Sequence, residues 1–205
     1  MQEIKFRLYL ITDRKATKVP LEEAVEEAFK AGLKALQLRE KDMTGRELLA
    51  LALRLRGLSS KYGARLFIND RVDVALLVGA DGVHLGQNSM PIPTVRGLVG
   101  DKMLIGQSTH GVDEATEAAK KGADFITLGP IYETPSKLTY GAPVGLETLQ
   151  KVRKKAKIPV FAIGGIKGHN IGDVMGSGAD GIAVISGILS GDSVYNETKK
   201  YLESL

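Results

Sequence analysis

VGADGVHL, residues 78–85, reads as the last turn of a helix, a glycine that redirects the chain, and a short apolar strand. AGLKALQL (31–38), KGADFITL (121–128) and SGADGIAV (177–184) read the same way. Their glycines, Gly32, Gly79, Gly122 and Gly178, can each take the left-handed conformation that closes a helix C-terminus. They stand 47, 43 and 56 residues apart. Each interval is too long for one β–α unit and suits two, so each predicts a further strand and helix between the repeats.

The intervening strands are found as RLYLIT (7–12), RLFIN (65–69), MLIGQS (103–108) and VFAIGG (160–165). Helical periodicity fills the gaps. In TGRELLALALRLRGLSSKYG, residues Leu48, Leu51, Ala52, Leu55 and Leu58 share one face. Thr44 and Glu47 have the spacing of a capping box at its start. Pro20 suits the first turn of the preceding helix, where its missing N–H does no harm. Further helices are predicted at 71–79, 92–99, 112–121, 146–156, 169–177 and 193–204. Eight strands alternating with eight helices exceed the five or six strands usual in an open doubly wound sheet. The prediction is a closed (β/α)8 TIM barrel, an α/β fold occupying residues 1–205 as a single domain with no linker.

Composition narrows the function. The chain has no cysteine, which excludes disulfides, thiolate metal sites and cysteine nucleophiles. The apolar run near the N-terminus is too short for a signal peptide or a membrane span, so a cytoplasmic protein with no membrane contact is expected. A net charge of +4 suits anionic partners. The densest basic run, KVRKKAK (151–157), alternates with apolar Leu146, Leu149, Val152 and Ala156. It reads as a solvated helix face and not as a nucleic-acid surface, since no aromatic residue interleaves it.

Barrels of this kind place their chemistry at the C-terminal ends of the strands. In QLREK, period-two spacing sends Gln37, Arg39 and Lys41 to one side, a dense positive site. That site either clamps a polyphosphate or is neutralised by Glu40 or Asp42. Asn69 and Asp70 follow a buried strand. Asp70 either holds Mg²⁺, which takes one or two carboxylates plus phosphate oxygens, or caps the next helix. The turns GGI and ISGI can present backbone N–H groups to a phosphate. GPIYETPSK carries Thr134, Ser136 and Lys137 on a long loop that suits a phosphate lid or an ordinary surface. Of the three histidines, His84 reads as structural within a strand. His110 is a candidate general base or a helix cap, and His169 is given no role.

These residues alone describe a barrel that binds two anionic groups, with no nucleophile–base pair in view. Catalysis would then rest on positioning and electrostatics. In order, YLITDR, QLREK, INDRVDVAL, ADGVHLGQ, IGQSTH, GPIYETPSK, AIGGI and AVISGI closely resemble the thiamine phosphate synthase family, which includes the related thiazole tautomerases. The resemblance covers essentially the whole chain.

It implies an enzyme, a transferase, that condenses hydroxymethylpyrimidine diphosphate with thiazole phosphate. Diphosphate leaves a pyrimidine cation, and the thiazole nitrogen attacks that cation. By motif position, Gln37, Leu38, Arg39, Glu40, Lys41, Asn69, Ser108 and Lys137 would bind the pyrimidine diphosphate. Thr134, Pro135, Ser136, Gly165, Ile185 and Ser186 would bind the thiazole phosphate, and Asp70 would hold Mg²⁺. The family pattern has a second metal-binding aspartate where this chain has Ser89. The tautomerases, which isomerise a carboxythiazole phosphate, tolerate that change, and His110 occupies the place of their proposed proton-shuttling histidine. The resemblance thus leaves three readings in order: a synthase, a tautomerase using His110, and a non-catalytic sensor of thiamine precursors. Partners are small phosphorylated metabolites, and the sequence is compatible with a homo-oligomer.

Overall fold

The structure is a computed structural model that describes residues 3–134 and 142–205. All four repeat glycines have a positive φ, from 59° at Gly79 to 109° at Gly32, so each turns the chain from a helix towards an even-numbered strand. The strands are β1 (Leu8–Ile11), β2 (Ala35–Leu38), β3 (Arg65–Asn69), β4 (Gly82–Leu85), β5 (Leu104–Thr109), β6 (Phe125–Leu128), β7 (Val160–Ile163) and β8 (Gly181–Val184). They pair in parallel in chain order, and β8 closes on β1. The predicted barrel is therefore the observed one.

Around it lie α1 (Leu21–Lys30), α2 (Gly45–Lys61), α3 (Val72–Val78), α4 (Ile92–Val99), α5 (Val112–Lys120), α6 (Gly145–Lys155), α7 (Ile171–Gly176), α8 (Ser186–Leu189) and α9 (Val194–Glu203). The α2 start forms the expected capping box: Thr44 Oγ1 accepts from the Glu47 N–H, and the Glu47 carboxylate accepts from the Thr44 N–H. Leu48, Leu51, Ala52 and Leu55 are its buried stripe. Along α6, Leu149 and Val152 are buried while Lys151, Arg153, Lys154 and Lys155 are exposed, the solvated face that the basic run predicts. Among the described residues, two short elements are additional to the prediction, a 3₁₀ turn at Gly100–Lys102 and a one-turn helix. The one-turn helix α8 directly follows β8 and precedes the expected C-terminal helix.

The repeats have a shared device at the N-terminal end of the barrel. Asp81, Asp124 and Asp180 each stand just before an even strand. Each carboxylate accepts a backbone N–H from the odd strand beside it, from Leu66 (2.8 Å), Ile105 (2.7 Å) and Val160 (2.8 Å). Each also meets an arginine from the helix preceding that odd strand: Arg56 at 2.6 Å, Arg96 at 2.6 Å and Arg153 at 3.4 Å. The first repeat has Lys34 in place of the aspartate, and its Nζ donates to the Tyr62 carbonyl at 3.1 Å. A charge-assisted bond to a backbone donor fixes register more firmly than apolar packing alone, which slides.

Helix-facing side chains form the larger core between barrel and helices. The lumen is filled separately by Phe6, Tyr9, Phe67, Phe125 and Phe161. These rings meet mainly edge-on or tilted, as their quadrupoles favour. They plug the barrel, so any ligand must enter from the C-terminal end. No helix among the described residues is long and apolar enough to cross a membrane.

Candidate active site

Above the aromatic plug the lumen turns polar. The Gln37 amide donates to Tyr9 Oη at 3.1 Å, with both side chains buried. His84 Nε2 lies 3.1 Å from Ser108 Oγ and 3.4 Å from Thr127 Oγ1. Burial, with a smaller contribution from the Arg39 charge, pushes the His84 pKa down to about 3, so its ring is neutral at ordinary pH. Over this layer opens a cavity of about 250 Å³. Gln37, Arg39, Asn69, His84 and Ser108 form one wall, and His110, Pro130, Gly164, Ile185 and Ser186 form the other.

The structure separates one predicted trio. Gln37 and Arg39 line this cavity, but Lys41 lines an adjoining cleft of about 300 Å³ with Asp70. The reason is local: β2 ends at Leu38, so strand alternation no longer governs Lys41. Asn69 lines both spaces and joins them. Leu38 and Glu40 also border the cleft. Glu40 is buried there and accepts from the Arg14 backbone N–H at 3.1 Å and from the Arg14 guanidinium at 3.1 Å.

That arrangement bears on the neutralised reading of QLREK. The nearby acids are taken by other cations: Glu40 by Arg14, and Asp42 by Arg14 and Lys15. These partners hold the Asp42 carboxyl well below the usual carboxylate range. Among the described residues, neither Arg39 nor Lys41 has a carboxylate partner. Both cations thus flank the adjoining cavities with their charge unbalanced by a described carboxylate.

Asp70 is the one non-glycine residue with a positive φ among the described residues, at 64°. Aspartate tolerates this conformation better than most side chains, at a cost of about 1–2 kcal/mol. Its backbone N–H donates to the His84 carbonyl at 2.9 Å. The helix-cap alternative does not hold, because α3 is preceded by Arg71 and has no side-chain cap. A cation here would find the Asp70 carboxylate and the Asn69 amide, Glu40 being engaged by Arg14. The described residues contain no cluster of three His, Cys, Asp or Glu able to hold a metal. That donor set suits Mg²⁺ only where water and phosphate oxygens complete its shell.

Ser89 uses its hydroxyl within its own turn. Its Oγ accepts from the Gly86 N–H at 2.7 Å, and its own N–H donates to the Gly86 carbonyl. It lines a separate groove with Gln87, Gln107 and Glu114. His110 sits at the cavity wall with Nδ1 3.1 Å from Glu114, whose carboxylate also accepts from the His110 N–H at 2.7 Å. The helix-cap reading of His110 does not hold, because α5 is preceded by Gly111 and has no side-chain cap, while His110 lines the cavity.

Around GGI, Gly164 and Gly165 make room for the chain that follows β6. A Cβ on Gly164 would lie 2.6 Å from Pro130 Cβ, and one on Gly165 would lie 2.6 Å from Tyr132 Cβ. Ile131 and Tyr132 donate to the Ile163 and Gly164 carbonyls. Gly165 therefore has a packing role here, while Ile185 and Ser186 line the cavity at the start of α8. Thr134 is the last described residue of that loop. Pro135, Ser136 and Lys137 lie outside the described residues.

Sequence alone does not point to several lining residues, namely Ile11, Asp13, Thr109, Thr127 and Ile163, and in it His84 reads as structural only. The signal was present in the interior register: Gly82 precedes His84 by two, Gly106 precedes Ser108 by two, and Phe125 precedes Thr127 by two.

The chain matches a family described as thiamine monophosphate synthase over residues 8–188. It is 45% identical to a thiamine-phosphate synthase of Chloroflexus aurantiacus over 192 residues, 93% of this chain and 88% of the relative. With the thiamine-phosphate synthase of Clostridium acetobutylicum it shares 43% over 200 residues, 97% and 94% of the two chains. Among solved structures, thiamine phosphate pyrophosphorylase from Pyrococcus furiosus superimposes with a TM-score of 0.89 at 41% identity, covering 97% of this chain and 94% of that one. The chain belongs to the thiamine monophosphate synthase family.

Proposed function

We propose that the chain is a thiamine phosphate synthase whose reaction takes place in the central cavity. The observation that carries the site assignment is the pair of cations, Arg39 and Lys41, left without carboxylate partners among the described residues at the joined cavities. In the reaction, the bond between the pyrimidine methylene carbon and the diphosphate oxygen breaks, and its electron pair leaves with the diphosphate. The thiazole nitrogen then supplies its lone pair to the methylene carbon, giving thiamine phosphate and diphosphate.

Each residue has a physical task in this reading. Arg39 offers a planar fork of donors to phosphate oxygens, and Lys41 offers a compact charge beside them. Both stabilise the negative charge that grows on the departing group, and no general base is needed. With its amide N–H₂ directed to Tyr9, Gln37 turns its carbonyl oxygen towards the pyrimidine. Ser108 contacts the same substrate, and the aromatic plug below keeps bulk water from the cation. Ile185 and Ser186 receive the thiazole phosphate at the start of α8, with Thr134 to Ser136 and Gly165 as further contacts and Lys137 on the diphosphate. Asp70, with Asn69 beside it, would hold Mg²⁺, which when bound supplies further positive charge to the diphosphate. Charged phosphorylated substrates suit a cytoplasmic enzyme.

The test is an assay of the purified protein with both substrates and Mg²⁺, monitored for thiamine phosphate. Isomerisation of a carboxythiazole phosphate without thiamine phosphate would replace the synthase reading with the tautomerase one. Tight binding of either substrate with no turnover would make the protein a sensor.

A further inference from the structure

We infer that His84 is a positioning residue: its Nε2–H donates to Ser108 Oγ, turning the Ser108 hydroxyl proton into the cavity, so that Ser108 meets the substrate as a donor. The atom it meets must then be a hydrogen-bond acceptor of the pyrimidine diphosphate. This rests on the synthase reading for the identity of that substrate, but the tautomer itself does not.

The site is built for this ring. His84 is 2% exposed and stands between Tyr9 and Phe125, with ring centroids 5.7 Å from each. Across the β4–β5 ladder it faces Gly106. A Cβ there would lie 2.5 Å from His84 Nδ1 and 2.5 Å from the Phe125 ring. Only glycine admits both rings.

A neutral imidazole has one N–H to place. Nδ1 is buried and has no hydrogen-bond partner, whereas Nε2 faces two hydroxyls. A proton on Nδ1 would bury an unpaired donor. A proton on Nε2 leaves only an unused lone pair, the commoner of the two defects in folded proteins. With Nε2–H donating, Ser108 Oγ is an acceptor from His84, and Thr127 Oγ1 also donates to it at 3.5 Å. With Thr127 as the donor of that long contact, the hydroxyl proton of Ser108 is left for the space that the side chain lines. Thr127 is held from behind, since its carbonyl accepts from Thr109 Oγ1 at 2.9 Å.

Nitrogen-15 NMR of the unaltered, histidine-labelled protein tests the tautomer without substrate. A protonated Nε2 and a bare Nδ1 at His84 are expected, and a protonated Nδ1 would overturn the inference. Kinetics test the consequence. Replacing His84→Leu should lower kcat about tenfold or more, and His84→Gln, which returns an N–H near the Nε2 position, should recover most of that loss. In a Ser108→Ala background, His84→Leu should cost nothing further in kcat, because both changes remove one donor. Multiplicative losses would show that His84 acts through the fold and not through Ser108. If the leucine variant does not fold, the NMR result and the glutamine variant decide. If the unaltered protein makes no thiamine phosphate, the functional reading fails while the tautomer is judged on its own spectrum.

Discussion

Phe67 stands opposite Gly82 across the β3–β4 ladder, and a Cβ on Gly82 would lie 2.6 Å from the Phe67 ring and 2.5 Å from the Leu104 carbonyl. Phe125 and Phe161 stand in the same way opposite Gly106 and Gly181. The lumen therefore alternates a ring with an absent side chain around three of its strand pairs. That alternation lets a narrow barrel hold four aromatic rings from its strands and still leave a cavity above them.

Gly82→Ala should destabilise the barrel by about 1–3 kcal/mol, the usual cost of overpacking a close-packed core. Gly57 is the contrasting case. It lies exposed in the middle of α2, where a Cβ would meet nothing within 4 Å. Gly57→Ala should stabilise by about 0.5–1 kcal/mol. Denaturant melts of the two variants should move in opposite directions, and a neutral Gly82→Ala would show that the plug is looser than its geometry implies.

Much of this architecture is legible in the chain itself. Four glycine-led repeats mark the even strands, and the Thr44–Glu47 spacing marks the start of α2. The position of His84 is less legible for a physical reason. Strands of a parallel barrel are buried on both faces, so VGADGVHL shows no polar alternation to say which side faces the lumen. Lys41 is hidden by a different effect, since nothing in QLREK marks Leu38 as the end of β2. The partners of Glu40 and Asp42 are also unreadable locally, because Arg14 comes from the preceding strand end, 26 residues from Glu40.

His84 should leave a mark on acid stability. Its pKa is about 3 in the fold against about 6.5 in the unfolded chain. Between those values the unfolded chain binds the extra proton, so stability is full above about pH 6.5 and falls as the pH drops towards 3. The slope attributable to His84 approaches about 1.4 kcal/mol per pH unit. His84→Gln should flatten the stability profile across this window, measured by denaturant melts at fixed ionic strength. A parallel, unflattened profile would mean that the ring is not neutral in the fold.

Arg14 touches no cavity-lining cation, yet its loss should be felt by the diphosphate. It occupies Glu40 and, with Lys15, Asp42. In Arg14→Ala these acids lose that partner and become available to Arg39 and Lys41. KM for the pyrimidine diphosphate should rise roughly two- to fivefold, the scale of the partly exposed Arg14–Asp42 pair, with kcat less affected. The effect should shrink at high salt, because competition among exposed charges is screened. A lower melting temperature with unaltered KM would assign Arg14 to stability alone.

By the resemblance to the family, Ser89 stands at the place of a second metal-binding aspartate. Its Oγ closes a tight turn by accepting from Gly86, and an aspartate can make the same bond with one oxygen while presenting the other to solvent. Ser89→Asp should therefore keep the turn and add a second anionic donor near the mouth of the barrel. Under the proposed reaction it should lower the Mg²⁺ concentration for half-maximal activity by about tenfold or more, given that even outer partners of a metal ligand alter affinity 10- to 100-fold. Asp70→Ala should move that concentration the other way. Calorimetric titration of Mg²⁺ in the presence of diphosphate gives the same comparison without turnover. If Ser89→Asp leaves both measurements where they are, the metal is held by Asp70 and phosphate oxygens alone, and the serine has no bearing on it.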